Sequence, residues 1–166
     1  MLTIKPNQSI GPISLGMHRT DVTRHLNTLQ LDCHHTLNRD IFAEGKIVVD
    51  YNSNDEVIAI CINRDPYLPT LEPDLFGFNP LQQAAHKTIM RMSLKGQYDN
   101  QDPQLGMSYI YPALGVYFWR DASPESLQKE RQGQRFGGAE DYVWYEQALQ
   151  DYQQFHCVGV FAPGYL

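Results

Sequence analysis

Few places in this 166-residue chain combine side-chain types that do chemistry at a spacing that would let them do it. Cys33-His34-His35 and His156-Cys157 hold thiols and imidazoles, the donors a tetrahedral zinc site takes. Zinc ligands on one hairpin usually have two or more residues between them, and adjacent ligands point apart. In a strand, His156 and Cys157 project to opposite faces. Both clusters therefore read as a polar loop and a strand histidine, and no metal or other cofactor is expected. A nucleophile built on Cys33 and a distant histidine is easy to draw, because six histidines offer many such pairings, and nothing singles one out. Gly133-Gln-Arg-Phe-Gly137-Gly138 is glycine-rich, but no strong strand precedes it and Arg135 is its only cation. It reads as a connector rather than a phosphate cradle. Neither G-x-S-x-G nor H-E-x-x-H occurs. The expectation is a protein that binds and does not catalyse.

The residues suited to binding are acids and aromatics. Asp65, Glu72 and Asp74 lie in a proline-rich connection, and Glu140, Asp141, Glu146 and Asp151 lie in the last helical region. They read either as a solvated acidic face or as a surface that blocks a basic protein. Tyr109, Tyr111, Tyr117 and Trp119 alternate along a strand pair, which suits a core or sheet face and equally an exposed aromatic patch at an interface. The contact set expected on the blocking reading is Asp65, Glu72, Asp74, Glu140, Asp141, Trp144 and Glu146. Thirteen Lys and Arg against nineteen Asp and Glu give a net charge of −6. That balance speaks against nucleic acid and anionic membranes, which attract positive faces.

The elements that must position these residues follow from periodicity and turn chemistry. Val22, Leu26 and Leu29 form one helical face, with His18 at the N-cap and Asp21 where a capping-box carboxylate falls. Residues 45–51 and 57–62 are β-branched runs around Asn52-Ser-Asn-Asp55, a hairpin, and a strand near Asp40–Ala43 extends it to a meander. Residues 63–79 form a connection punctuated by Pro66, Pro69 and Pro73. Asn79-Pro80 signals a second helix with a stripe of Leu81, Ala85, Thr88, Ile89 and Met92 that stops near Gly96. Residues 108–111 and 114–119 read as strands, and Ser123-Pro124-Glu125 as a helix start. After Gly137-Gly138, Tyr145, Ala148, Leu149 and Tyr152 follow helical spacing, although Tyr142-Val-Trp-Tyr145 also fits a strand, and residues 155–161 read as the last strand.

The sum is one α+β domain over residues 1–166. An antiparallel sheet of five to seven strands carries two to four helices, mainly on one face. Leu15-Gly16-Met17 and Phe76-Gly77-Phe78 each precede a helix and then strands. Two repeated units, 1–65 and 74–166, would explain that echo, and so would coincidence. Residues 1–6 contain neither a basic n-region nor an apolar h-region, and no run approaches the ~20 apolar residues of a membrane span, so the cytoplasm is the expected compartment. In that reducing compartment Cys33, Cys61 and Cys157 are expected as thiols, the latter two buried in strands.

Ile10-Gly-Pro-Ile-Ser-Leu-Gly-Met-His-Arg-Thr-Asp-Val22 resembles the opening of small bacterial α+β binding proteins. Among them are the beta-lactamase inhibitor proteins and the outer-membrane assembly lipoproteins, which are exported, whereas residues 1–6 lead to the expectation of no export signal here. Tyr111-Pro-Ala-Leu-Gly-Val-Tyr-Phe-Trp-Arg120 with Phe155-His-Cys-Val-Gly-Val160 resembles the bacterial immunity proteins encoded beside contact-dependent growth-inhibition toxins. His18 departs from the Ser or Thr common in such openings. The resemblance implies an inhibitor that forms a heterodimer with the C-terminal domain of its cognate toxin, a nuclease by preference, and carries no contact residue over. The alternatives are a small-molecule or peptide-binding domain, with a cavity lined by Tyr117 and Trp119, and a homo-oligomeric structural module.

Overall fold

A computed structural model describes residues 1–28, 31–64, 71–133 and 139–165, the side chains of 130, 132, 133 and 139–141 excepted. Its frame is a seven-stranded antiparallel sheet. Strands β4 (Cys33–His35), β5 (Arg39–Phe42), β6 (Ile47–Tyr51) and β7 (Val57–Asn63) form a meander. On the far side of β7 follow β11 (Cys157–Phe161), β10 (Val116–Trp119) and β9 (Ser108–Tyr111). The order β5-β6-β7 is mirrored by β9-β10-β11 across the β7–β11 pair, and a single 3-10 turn joins the first two strands in each half, at Ala43–Gly45 and Pro112–Leu114. A smaller four-stranded sheet is made by β1 (Leu2–Lys5), β2 (Ser9–Ile10), β3 (Ile13–Ser14) and β8 (Pro73–Asp74), with β8 parallel to β1. The sequence pattern assigns no element to β1, β2 or β3 and puts β8 in the 63–79 connection; β2, β3 and β8, at two residues each, are too short to show alternation.

Pairing register sorts the large sheet into two faces. Phe42, Ile47, Ile62, Val158 and Phe118 fall in one cross-strand row, and Val49, Ile60, Val160, Val116 and Tyr111 in the next. Both rows are buried. Against them pack the apolar sides of helix α1 (Arg19–Asn27), through Val22 and Leu26, and of helix α2 (Ala85–Ser93), through Ala85 and Met92, with Ile4, Ile10 and Ile13 of the small sheet. The opposite face carries the row Ile41, Val48, Cys61, Gly159, Tyr117 and Ile110, whose side chains are mostly half-buried. Tyr109 and Tyr111 thus belong to the core, where Tyr111 packs edge-on to Phe118 with centroids 5.9 Å apart. Tyr117 and Trp119 lie on the other side. Tyr117 lies over Gly159, where an added Cβ would sit 2.3 Å from the ring.

Several local expectations need correction. His18 does cap α1, its Nδ1 accepting from Thr20 N at 3.4 Å, but Asp21 pairs with Arg24 at 2.8 Å instead of closing a capping box. Leu29 lies outside the described residues, as do Asp65, Pro66 and Pro69. The helix expected from Asn79-Pro80 starts five residues later. Asn79 Oδ1 accepts from Leu81 N at 3.0 Å, an Asx turn, and Ala84 stays extended to bridge Gln154. Helix α3 (Pro124–Gly133) starts as expected, with Ser123 and Ser126 capping each other at 3.0 and 2.9 Å. Tyr142–Tyr145 is helical, within α4 (Ala139–Asp151). Cys61 and Cys157, expected as separate thiols, form a disulfide across 96 residues with Cα atoms 6.5 Å apart. They occupy diagonal positions on one face of the adjacent strands β7 and β11, a proximity set by long-range register. No described helix is long and apolar enough to cross a membrane.

Candidate functional site

Two polar centres stand out. The first is built on the β4–β5 hairpin, whose pairing sets His35 opposite Asp40. Asp40 has no exposed side-chain surface, and Arg19 of α1 embraces it with Nη2 on Oδ1 and Nε on Oδ2. His35 Nδ1 donates to Oδ1 at 2.7 Å and the Tyr51 hydroxyl to Oδ2 at 3.0 Å. Burial alone would raise the Asp40 carboxyl, but these donors outweigh it and hold the group below the usual carboxylate range. Cys33 Sγ lies 3.5 Å from His35 Nδ1, and Cys33, His35 and Asp40 each present a ligand atom within 4.8 Å of the others.

The sequence reading missed this set because it considered adjacent ligands, whereas Cys33 and His35 share a face as i and i+2. The geometry suits neither metal binding nor nucleophilic attack. A cation bound there would face the Arg19 guanidinium that already neutralises Asp40. The imidazole nitrogen nearest the thiol donates its proton to Asp40, so it is not a base for Cys33, and burial and the Asp40 charge push the thiol up to about 11. The cluster therefore acts as a structural lock joining α1 to the meander.

The second centre is α4 and what it leans on. Arg64, at the end of β7, donates through Nη2 to Asp151 Oδ1 and to the Asp151 carbonyl at 3.2 Å, pinning the C-terminal end of the helix. His156 donates through Nδ1 to Asp121 Oδ2 at 2.9 Å, and its Nε2 lies 3.1 Å from Asp151 Oδ2 without hydrogen-bond alignment. The Arg131 guanidinium of α3 sits over Tyr145 and Tyr142, 4.7 and 5.6 Å from the ring centroids. Held at both ends, α4 turns Tyr145 inward at 3% exposure. Its neighbours face out, with Tyr142 at 49%, Val143 at 68% and Trp144 at 63% exposed. Glu146 is exposed beside them. A groove of about 450 Å³ runs along the helix between Trp144, Gln147 and Asp151 on one side and Arg64, Tyr152 and Gln154 on the other.

Of the expected contact residues, Trp144 and Glu146 are thus both exposed on α4, but two residues apart they fall on opposite flanks of its outward side, Trp144 on the Arg64 groove and Glu146 beside Tyr142 and Val143. Glu140 and Asp141 fall within α4, with side chains outside the described residues, and Asp65 is outside them altogether. Glu72 is exposed and Asp74 half-buried on or beside β8, in the small sheet rather than on α4. The sequence reading missed Tyr142, Val143 and Arg64. The signal was there for Val143 alone: once Tyr145, Ala148, Leu149 and Tyr152 are read as the inward stripe of a helix, Val143 falls off it, as Trp144 does, whereas Tyr142 lies one turn before Tyr145 on the same side. No protein-family model matches the chain, and no curated protein or solved structure does.

Proposed function

We propose that this protein is an immunity protein, which binds and neutralises the C-terminal domain of a cognate bacterial toxin, a nuclease by preference, by covering or obstructing its substrate channel. The observation that supports this most is the pair of exposed apolar residues Val143 and Trp144 on a pinned helix beside Glu146. Large aromatics that are immobile and solvent-exposed before association make effective interface anchors. A −6 net charge steers such a surface toward a phosphate-binding, hence basic, partner. On this reading the protein works by occlusion, performs no catalysis and forms a heterodimer with the toxin.

The reading places the chain in the cytoplasm, where Cys61 and Cys157 would be kept as thiols, whereas their disulfide belongs to an oxidising compartment. Thiol alkylation of the protein in intact cells decides between the two. The functional test is growth of cells that express the C-terminal domain of the protein encoded by the adjacent reading frame, which this reading expects to be toxic. Co-expression of this chain should restore growth. Trp144→Ala with Glu146→Lys should abolish protection while leaving the melting temperature unchanged.

Binding of a small apolar molecule is the second reading, favoured by one observation. A cavity of about 230 Å³ lies between α1, the small sheet and β6–β7, lined by aliphatic side chains such as Ile10, Ile13, Leu26, Ile60 and Leu71. Tyr117 and Trp119, expected to line such a cavity, do not line this one.

A further inference from the structure

Arg120 follows β10 and is 6% exposed, yet among the described residues no carboxylate lies within ion-pair distance of it. Arginine is rarely buried this deeply without an anion, because removing the guanidinium charge from water carries a large penalty. Part of that penalty is offset locally. Nε donates to the Gly106 carbonyl and Nη1 to the Tyr152 carbonyl, both at 2.8 Å, and the group sits 5.7 Å from the Phe155 ring centroid. These contacts tie three segments together and leave Nη2 without a hydrogen bond among the described residues.

Arg120 lines a cavity of about 480 Å³. Its other walls include His86 and Ile89 of α2, Tyr109 of β9, Glu125 in the first turn of α3, and Gln153. Backbone and Ser123 hydrogen bonds hold the Glu125 carboxyl below its usual range, so it is ionised at neutral pH. Arg120 and Glu125 therefore present opposite charges to one cavity without pairing. Tyr109 donates and accepts no side-chain hydrogen bond among the described residues, which leaves its hydroxyl free for a ligand.

From this arrangement we infer that the cavity is a binding site for a small zwitterion of the α-amino acid class. The ligand carboxylate accepts from Arg120 Nη2 and the Tyr109 hydroxyl, its ammonium donates to Glu125, and an aliphatic side chain rests on Ile89. A dianion such as phosphate fits less well, because Glu125 repels it. The site is separate from the α4 surface, and its fate does not depend on the proposed function.

The test uses the intact protein and four probes: L-leucine, 4-methylpentanoate, isopentylamine and inorganic phosphate. Binding is read from backbone amides of Tyr109 and Ile89 and from the Arg120 Nε–H in ¹H–¹⁵N spectra. L-leucine should produce saturable shifts, and each single-charge analogue should bind about tenfold or more weakly, one lost charged hydrogen bond being worth at least that factor. Glu125→Gln should remove leucine's advantage over 4-methylpentanoate, and Tyr109→Phe should weaken both. Arg120→Gln should abolish binding, and where it unfolds the chain the Glu125 and Tyr109 variants carry the test. The inference is overturned if leucine gives no saturable shift up to about 50 mM, a range that covers even weak metabolite sites. It is overturned equally if phosphate binds more tightly than leucine, or if Glu125→Gln leaves the leucine preference intact.

Discussion

Asp40 shows how a residue can be decisive and nearly invisible in a sequence. Its partners sit at positions 19, 35 and 51, on a helix, a facing strand and a neighbouring strand, and no spacing rule connects them. Removing the charge leaves Arg19 and Tyr51 with donors aimed at a weaker acceptor. Asp40→Asn should therefore cost about 3 kcal/mol in urea unfolding, at the lower end for a broken buried pair. The pH dependence follows from the same group. A carboxyl depressed in the folded state contributes fully above its unfolded value near about 4 and loses that contribution as pH falls through the lower folded value. Stability of the native chain should thus fall steeply below about pH 4, and Asp40→Asn should flatten that limb. The acids picked from composition fared differently: Glu146 lies on the exposed α4 surface, whereas Glu72 and Asp74 belong to the small sheet.

Among the elements, those with strong periodicity were legible and those without it were not. The β6–β7 hairpin was readable because β-branched runs flank a turn-rich tetrad, and α3 because Ser123, Pro124 and Glu125 are all start signals. Ser123→Ala should lower stability by about 1 kcal/mol in chemical denaturation, the usual worth of a cap, since it removes an acceptor from Ser126 N. The start of α2 is later than Asn79-Pro80 suggests, because that pair makes an Asx turn, while tertiary pairing holds Ala84 extended beside Gln154 and the Ala85 N–H donates to the Gln153 carbonyl. Strand β11 carries a constraint its sequence only hinted at. Gly159 is the seat of the Tyr117 ring, so Gly159→Ala should destabilise by about 1–3 kcal/mol through overpacking. Most of that loss should vanish in a Tyr117→Ala background, and a double-mutant cycle measures the coupling.

For the whole molecule, the α+β class and a sheet of five to seven strands were within reach, because alternating runs separated by turns imply antiparallel pairing. Strand order and register were not, since they arise from contacts between distant segments, and with them went the juxtaposition of Cys61 and Cys157. The two-sided sheet has a functional consequence. One face is filled by α1, α2 and the small sheet, and the surface proposed for recognition lies on a helix outside that core cluster. Binding can then be altered without disturbing the fold, which is what an inhibitor acting by occlusion requires. The most direct measurement is a calorimetric titration of the proposed partner, the C-terminal domain of whatever protein the adjacent reading frame encodes, with native protein and with the Trp144→Ala/Glu146→Lys variant. The account predicts a one-to-one complex for the native chain and affinity about a hundredfold or more weaker for the variant, as loss of a central aromatic anchor entails, with unfolding curves superimposed. Undiminished affinity of the variant, or no complex with the native chain, would contradict it.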